Sequence, residues 1–297
     1  MRQRLIWPVM ILAAAMPAFG GPVLFSIPGG ASSFGLLGGP ADGVSNTGTS
    51  VVVGNVGGIP TVTGFQPTGP GMATGFACTP TGPASCSMAQ ETEVTTAYND
   101  IFGAGGAFIT GEGLTATQPA FSTLTTSTTF TGNNVYQSTG DISTATGITF
   151  TFDAQGNSAA DFVIKIEGAL TVNGALTFML ENGAQASNIF WIVTDAATIS
   201  VGSAPSVGPG LGSIVFDGDI LAGTSFTMSA ATGGSGTLAG TINGCVFSQT
   251  TNTLMGETNV NGCGATGASV PEPATLTLVG GALLGLGVLR RKKVFRQ

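Results

Sequence analysis

The sequence predicts an all-β body with one α-helix, set between an N-terminal export signal and a C-terminal transmembrane helix. Three observations lead there. Both ends carry short apolar runs flanked by basic residues, the interior repeats a period of two in short Thr-rich segments, and one isolated stretch has helical spacing.

Residues 1–20 read as a signal peptide. Arg2 and Arg4 precede an apolar run from Leu5 to Ala15, and small residues at Ala18 and Gly20 suit a signal peptidase cut after Gly20. The run is short for a bilayer span, which takes about 20 residues, so an uncleaved anchor is the weaker reading.

The body occupies residues 21–269. In Ile148-Thr149-Phe150-Thr151-Phe152 apolar side chains alternate with threonines, and the period recurs in Phe162 to Ile166 and in Ser225 to Ser229. Alternation of this kind gives a strand one buried and one hydroxyl face. Further strands are expected at Ala169–Val172, Leu176–Leu180, Ile189–Val193, Thr198–Val201, Ile214–Phe216, Ile220–Ala222 and Thr237–Ile242, with Gly, Asn and Asp marking the turns between them. Short strands at such regular spacing suit a sandwich, a barrel or a solenoid. The single helix is signalled by a capping box, Ser87 with Gln90, by Val94, Ala97, Tyr98, Ile101 and Phe102 on one face, and by Gly103 as the stop. It is expected to lie along the strands.

Residues 270–297 form the third segment. Val270, Pro271, Glu272 and Pro273 lead into an apolar stretch, Ala274 to Leu289, that ends in Arg290, Arg291, Lys292 and Lys293. The cations hold this tail on the cytoplasmic side of the inner membrane and leave the body outside. Valine-proline-glutamate-proline, a short apolar helix and a basic tail together resemble the PEP-CTERM sorting signal. That resemblance implies processing by an exosortase, with passage through the inner membrane to the surface or matrix of a Gram-negative bacterium.

Charge and cysteine content narrow the function. The chain has 8 basic and 15 acidic residues and a net charge of −7. Seven of the basic residues lie in the two terminal signals, so Lys165 stands alone in the body and nucleic acid is excluded as a partner. Cys78, Cys86, Cys245 and Cys263 permit three connectivities in an oxidising compartment, and proximity favours Cys78 with Cys86 and Cys245 with Cys263. A zinc site is the poorer reading of the cysteines, with no Cys-x-x-Cys and no histidine to complete it, and without histidine a Ser-His-Asp or Cys-His constellation cannot be assembled. No metal, cofactor or catalytic residue is expected. Asp217 and Asp219 are expected to flank a turn at Gly218.

The body also carries a family resemblance. The run Leu180-Glu181-Asn182-Gly183-Ala184-Gln185-Ala186-Ser187-Asn188-Ile189-Phe190-Trp191, followed by Ala197-Thr198, is similar to the signature of ice-binding-like domains. Flanking segments from Gly54-Asn55-Val56-Gly57 to Ile220-Leu221-Ala222 occur in the matching order, so the resemblance covers residues 35 to 255. It implies an irregular right-handed β-solenoid of triangular section with an α-helix along one side, a strand at Asn188 to Trp191 that packs Trp191 into the core rather than against a sugar ring, and ice as ligand. Departures are an insertion at Ser203 to Gly212, an acid at Asp219 where coils carry a small neutral residue, and a diverged end around Cys245.

Outward side chains at i and i+2 repeat at about 6.6 Å and stacked strands at about 4.8 Å, spacings close to those of an ice lattice. Candidate outward hydroxyls are Thr149, Thr151, Thr171, Thr177, Thr198, Ser200, Ser225, Thr227, Ser229, Thr237 and Thr241. The sorting signal supports a different partner, exopolysaccharide, for a structural or adhesive biofilm protein.

Overall fold

A computed structural model describes residues 24–79, 86–103, 114–174, 176–200, 214–229 and 240–264. The signal peptide, the C-terminal apolar helix with its sorting motif, Thr237 and the Ser203–Gly212 insertion lie outside the described residues. Among the described residues no helix is long and apolar enough to cross a membrane.

The strands form coils of three. The first coil is β1 (Phe34–Gly38), β2 (Gly43–Asn46) and β3 (Val51–Val52), and the second is β4 (Asn55–Gly58), β5 (Val62–Thr63) and β6 (Met72–Ala73), extended by β7 (Ala77–Cys78). Helix α1 (Met88–Phe102) follows, and then β8 (Thr128–Thr131). Five more coils complete the stack: β9 (Asn134–Gln137), β10 (Ile142–Thr144) and β11 (Ile148–Asp153); β12 (Phe162–Ile166), β13 (Leu170–Asn173) and β14 (Leu176–Glu181); β15 (Ile189–Val193), β16 (Ala197–Ser200) and β17 (Ile214–Asp217); β18 (Asp219–Ala222), β19 (Ser225–Ser229) and β20 (Gly240–Asn243); β21 (Val246–Ser248), β22 (Thr251–Met255) and β23 (Thr258–Val260).

Equivalent strands stack in parallel, as a solenoid requires. Face A runs β7-β4-β1-β21-β18-β15-β12-β9, and face B runs β10-β13-β16-β19-β22-β2-β5. The third face is split into two sheets, β14-β11-β8 and β17-β20-β23-β3-β6. Stacking order therefore departs from chain order, because β1 pairs with β4 on one side and with β21, from the last coil, on the other. The chain begins in the middle of the column and builds to one end. It restarts beyond α1 at the other end and winds back until its last coil meets its first.

The interior is filled by the inward half of each alternating strand. Trp191 is fully buried, with Phe216 at 5.2 Å and Phe150 at 6.0 Å between ring centroids, and Phe152 stacks on Phe178 at 6.0 Å. Trp191 is thus core, as the family resemblance implies. Its indole N–H donates to the Asp217 backbone oxygen at 3.1 Å, which satisfies the one polar group the ring brings inside.

Helix α1 is closed at its start by the expected capping box, with Gln90 N–H donating to Ser87 Oγ and Ser87 N–H to Gln90 Oε1, and it ends at Gly103. Val94, Ala97, Ile101 and Phe102 are buried against Phe34, Leu37, Leu221 and Phe247 of face A. Gly57 lies beneath the helix, where a Cβ would crowd Leu37 Cδ1 at 2.8 Å, Phe34 Cε1 at 2.9 Å and Val94 Cγ1 at 3.1 Å, so a side chain there would disturb the helix–sheet packing. Fifteen helical residues span about 22 Å, less than the eight strands of face A. The remainder is covered by Leu24, Phe25, Ile27 and Leu114, packed on Val135, Val163, Phe190 and Ile192. The disulfides join Cys78 to Cys86 and Cys245 to Cys263, the pairing that proximity favours.

Candidate functional site

Of the three faces, A is covered by α1 and the 24–27 segment, which leaves B and the third face to meet the surroundings. Face B carries a rank of hydroxyls that crosses all seven strands in register: Ser143, Thr171, Thr198, Thr227, Thr253, Ser45 and Thr63. Each is the outward residue of its strand, and the inward neighbours, such as Leu170, Ile199, Phe226 and Leu254, are buried. At about 4.8 Å per strand the rank is roughly 29 Å long. Beside it runs a second rank of Asn173, Ser200, Ser229 and Met255, and on the other side Ser225 pairs with Thr251. No strand residue of face B is charged.

The candidate hydroxyls divide between two faces. Thr171, Thr198, Ser200, Ser225, Thr227 and Ser229 lie together on face B, whereas Thr149, Thr151 and Thr177 lie on β11 and β14 and Thr241 on β20, all on the third face. The single face expected from the sequence is corrected in this respect. Alternation shows which side of a strand points outward, but successive strands of one coil belong to different faces. The third face is also unlike face B in chemistry. Its outward positions include Val51, Met72 and Val215, each at least 37% exposed, and it ends in the neighbouring acids Asp153 and Glu181. Ser143, Thr253, Thr251, Ser45 and Thr63 complete face B and were missed, because their strands are short or lack clean alternation. In β22 the inward Asn252 is buried and donates to the Leu37 backbone oxygen, so a core position reads as polar.

A hydroxyl rank on a regular sheet can hold water at lattice-like intervals through donors and acceptors, while threonine methyls keep the surface partly apolar. An extended, uncharged partner with a matching repeat fits it; a compact ion does not.

The remaining polar groups sit at the corner between the third face and face A. Gly218, at φ +114°, turns the chain there, and a Cβ would meet the Ile189 oxygen at 2.8 Å and Trp191 Nε1 at 2.9 Å. Asp217 and Asp219 flank this turn as expected. Asp217 accepts from Asn243 Nδ2 at 2.7 Å, and Asn243 Oδ1 accepts from Asn261 Nδ2 at 2.7 Å, which makes a short amide ladder up the corner. Burial raises the Asp217 carboxyl, and the Asn243 bond opposes that rise. Asp219 is pushed up to about 7 by burial, against the lowering effect of the hydrogen bond its Oδ1 accepts from Cys245 N–H at 2.8 Å. Asp219 lies beside Cys245 and Cys263, but a disulfide removes both sulfurs as thiolate ligands, so the trio is a poor metal site.

Comparison with known proteins gives two family matches. The family described as ice-binding-like matches residues 39–261, and the PEP-CTERM protein-sorting motif matches residues 269–292. Similar solved structures include an ice-binding protein from the Antarctic ascomycete Antarctomyces psychrotrophicus, 28% identical over 81% of this chain and 98% of that one, with a TM-score of 0.59. A glycosylated ice-binding protein from an Arctic yeast is 25% identical over 82% and 95%, with a TM-score of 0.58. An ice-binding protein domain from Shewanella frigidimarina, 19% identical over 79% and 96% with a TM-score of 0.56, shares the fold. No curated protein matched the sequence.

Proposed function

The chain belongs to the ice-binding-like family, and from that premise we propose that it binds ice through face B, without catalysis, after export and sorting to the cell surface. The observation that carries the reading is the seven-residue hydroxyl rank, the longest in-register row on an uncovered face among the described residues. The sorting motif makes this an exported surface protein. We divide it into a signal peptide at 1–20, the binding domain at 21–269 and the sorting segment at 270–297. The last is held transiently in the inner membrane until an exosortase acts. Thr237 stays a candidate outward hydroxyl beside the rest.

The test is ice-crystal shape in a solution of the purified protein. The native protein is expected to facet crystals. Thr198→Tyr and Thr227→Tyr, at the centre of the rank, are expected to abolish faceting, while Thr151→Tyr and Thr241→Tyr on the third face leave it intact. Round discs with the native protein, or equal losses from both pairs, would refute face B as the ice surface.

A second reading is favoured by the sorting motif: a structural or adhesive protein that associates with exopolysaccharide in a biofilm. It predicts co-sedimentation of the protein with the producing cell's own polysaccharide, undiminished by Thr198→Tyr. Failure to co-sediment ends it.

A further inference from the structure

Beside the 24–27 segment, at the starts of β12, β15 and β18 of face A, a cleft of about 610 Å³ opens. That is within the size range of small-ligand sites. Phe25, Ile27 and Phe190 supply an apolar wall, with the Phe25 and Phe190 rings 4.9 Å apart, and Asp161, Asp219 and Asn188 supply polar groups. Asp219 is the unusual member. It continues an outward rank of face A whose preceding positions are Val135, Val163 and Phe190, and it is only 2% exposed. One carboxylate oxygen accepts the Cys245 N–H; the approach of Cys245 Sγ at 3.3 Å brings no proton, since that sulfur is in a disulfide. Among the described residues nothing donates to the other oxygen of this cleft-lining carboxylate. Asp161, 5% exposed, accepts from Leu24 N–H at 2.7 Å and Phe25 N–H at 3.5 Å. Among the described residues no basic side chain lines the cleft, and Lys165 is paired with Glu167.

We propose that this cleft binds a protonated primary amine carried on a ring with an apolar face, as in an amino sugar, with the ammonium held by Asp219, Asp161 adding negative charge at the cleft wall, and the ring against Phe25 and Phe190. A buried carboxylate without a cation is costly, and a buried one that lines a ligand-sized opening is matched by a ligand that brings the charge. The hydroxyls of Ser158 and Ser187 at the rim add partners for a polyol. This site is separate from face B and does not depend on the ice reading.

The experiment is calorimetric titration of the full chain in detergent with three probes: glucosamine, N-acetylglucosamine and cyclohexylamine. Glucosamine is expected to bind at least ~10-fold more tightly than N-acetylglucosamine, which lacks the cation. Cyclohexylamine, if it binds as well as glucosamine, shows that the ring amine alone suffices; weaker binding shows that sugar hydroxyls contribute. Asp219→Asn keeps an acceptor for Cys245 N–H, and Asp161→Asn keeps one for Leu24, so both variants are expected to fold, which thermal unfolding checks. Asp219→Asn is expected to weaken amine binding by about 10- to 100-fold, and Asp161→Asn, which removes only a more distant charge, by less. Affinity for cyclohexylamine, which stays protonated throughout, should rise with pH as Asp219 ionises near 7; the cleft's other titrating group, Asp161, acts in the same direction. Absence of saturable amine binding, equal binding of glucosamine and N-acetylglucosamine, or binding unchanged in Asp219→Asn would overturn the proposal.

Discussion

Replacing Asp219 with asparagine in the ligand-free protein should change how stability depends on pH. Burial raises this carboxyl from 3.8 to about 7. Below pH 4 the group is protonated in both folded and unfolded chains, and the native state suffers no penalty. Between 4 and 7 the unfolded chain releases its proton while the native chain keeps it, so stability falls as pH rises. Above 7 both forms are ionised, and the penalty levels off at about 4 kcal/mol, an upper figure from 1.36 kcal/mol per pKa unit. The amide of the Asp219→Asn variant cannot ionise but still accepts the Cys245 N–H. Asp161 and Asp217 are also raised by burial, yet they are present in both proteins and cancel in the comparison. The stability difference between Asp219→Asn and the native chain, measured by urea unfolding at pH 4, 5.5, 7 and 8.5, should therefore move in favour of the variant by several kcal/mol from pH 4 to 7 and change little beyond. A difference that stays flat across that range would refute the assignment of Asp219 as a buried, uncompensated acid.

Other perturbations test the frame around the site. Ser87→Ala removes the acceptor for Gln90 N–H and should cost about 1 kcal/mol in denaturant unfolding; no change would mean α1 is held by its face-A contacts alone. Opening the Cys245–Cys263 loop, 18 residues apart in sequence, with a double serine variant should cost about 3 kcal/mol on chain-entropy grounds, read as a lowered urea midpoint. Gly218→Ala places a methyl against the Ile189 oxygen and Trp191 Nε1 at a positive φ. It should destabilise by about 1–3 kcal/mol and shift the emission of Trp191. Removing residues 270–297 should release the protein from the producing cell into the medium, as fractionation would show.

Much of the fold was legible because it is written locally. The alternation in Ile148–Phe152, Phe162–Ile166 and Ser225–Ser229 marks β11, β12 and β19, and the Ser87–Gln90 box marks the start of α1. The seven strands before the helix carry no such mark, since several have only two residues and their glycines fit between neighbouring coils without contributing a pattern. Three of the seven hydroxyls in the rank were legible for the same reason that the other four were not. Thr171, Thr198 and Thr227 stand in alternating strands, whereas Thr253 and Ser45 depend on the pairing of β22 with β2, residues some two hundred positions apart.

The amino-acid order alone determined that the body is β with one capped helix, that it is exported and that its body is poor in cations, since each follows from composition or from contacts within a few residues; it favoured the cysteine pairing that the structure then fixed. Tertiary structure decided which hydroxyls share a face, that the last coil docks on the first, and that Asp219 is buried at the wall of a cleft beside the 24–27 segment. Those outcomes depend on long-range stacking: side-chain direction repeats every two residues within a strand, but the face to which a strand belongs is set by where the coil turns and which distant strand it meets.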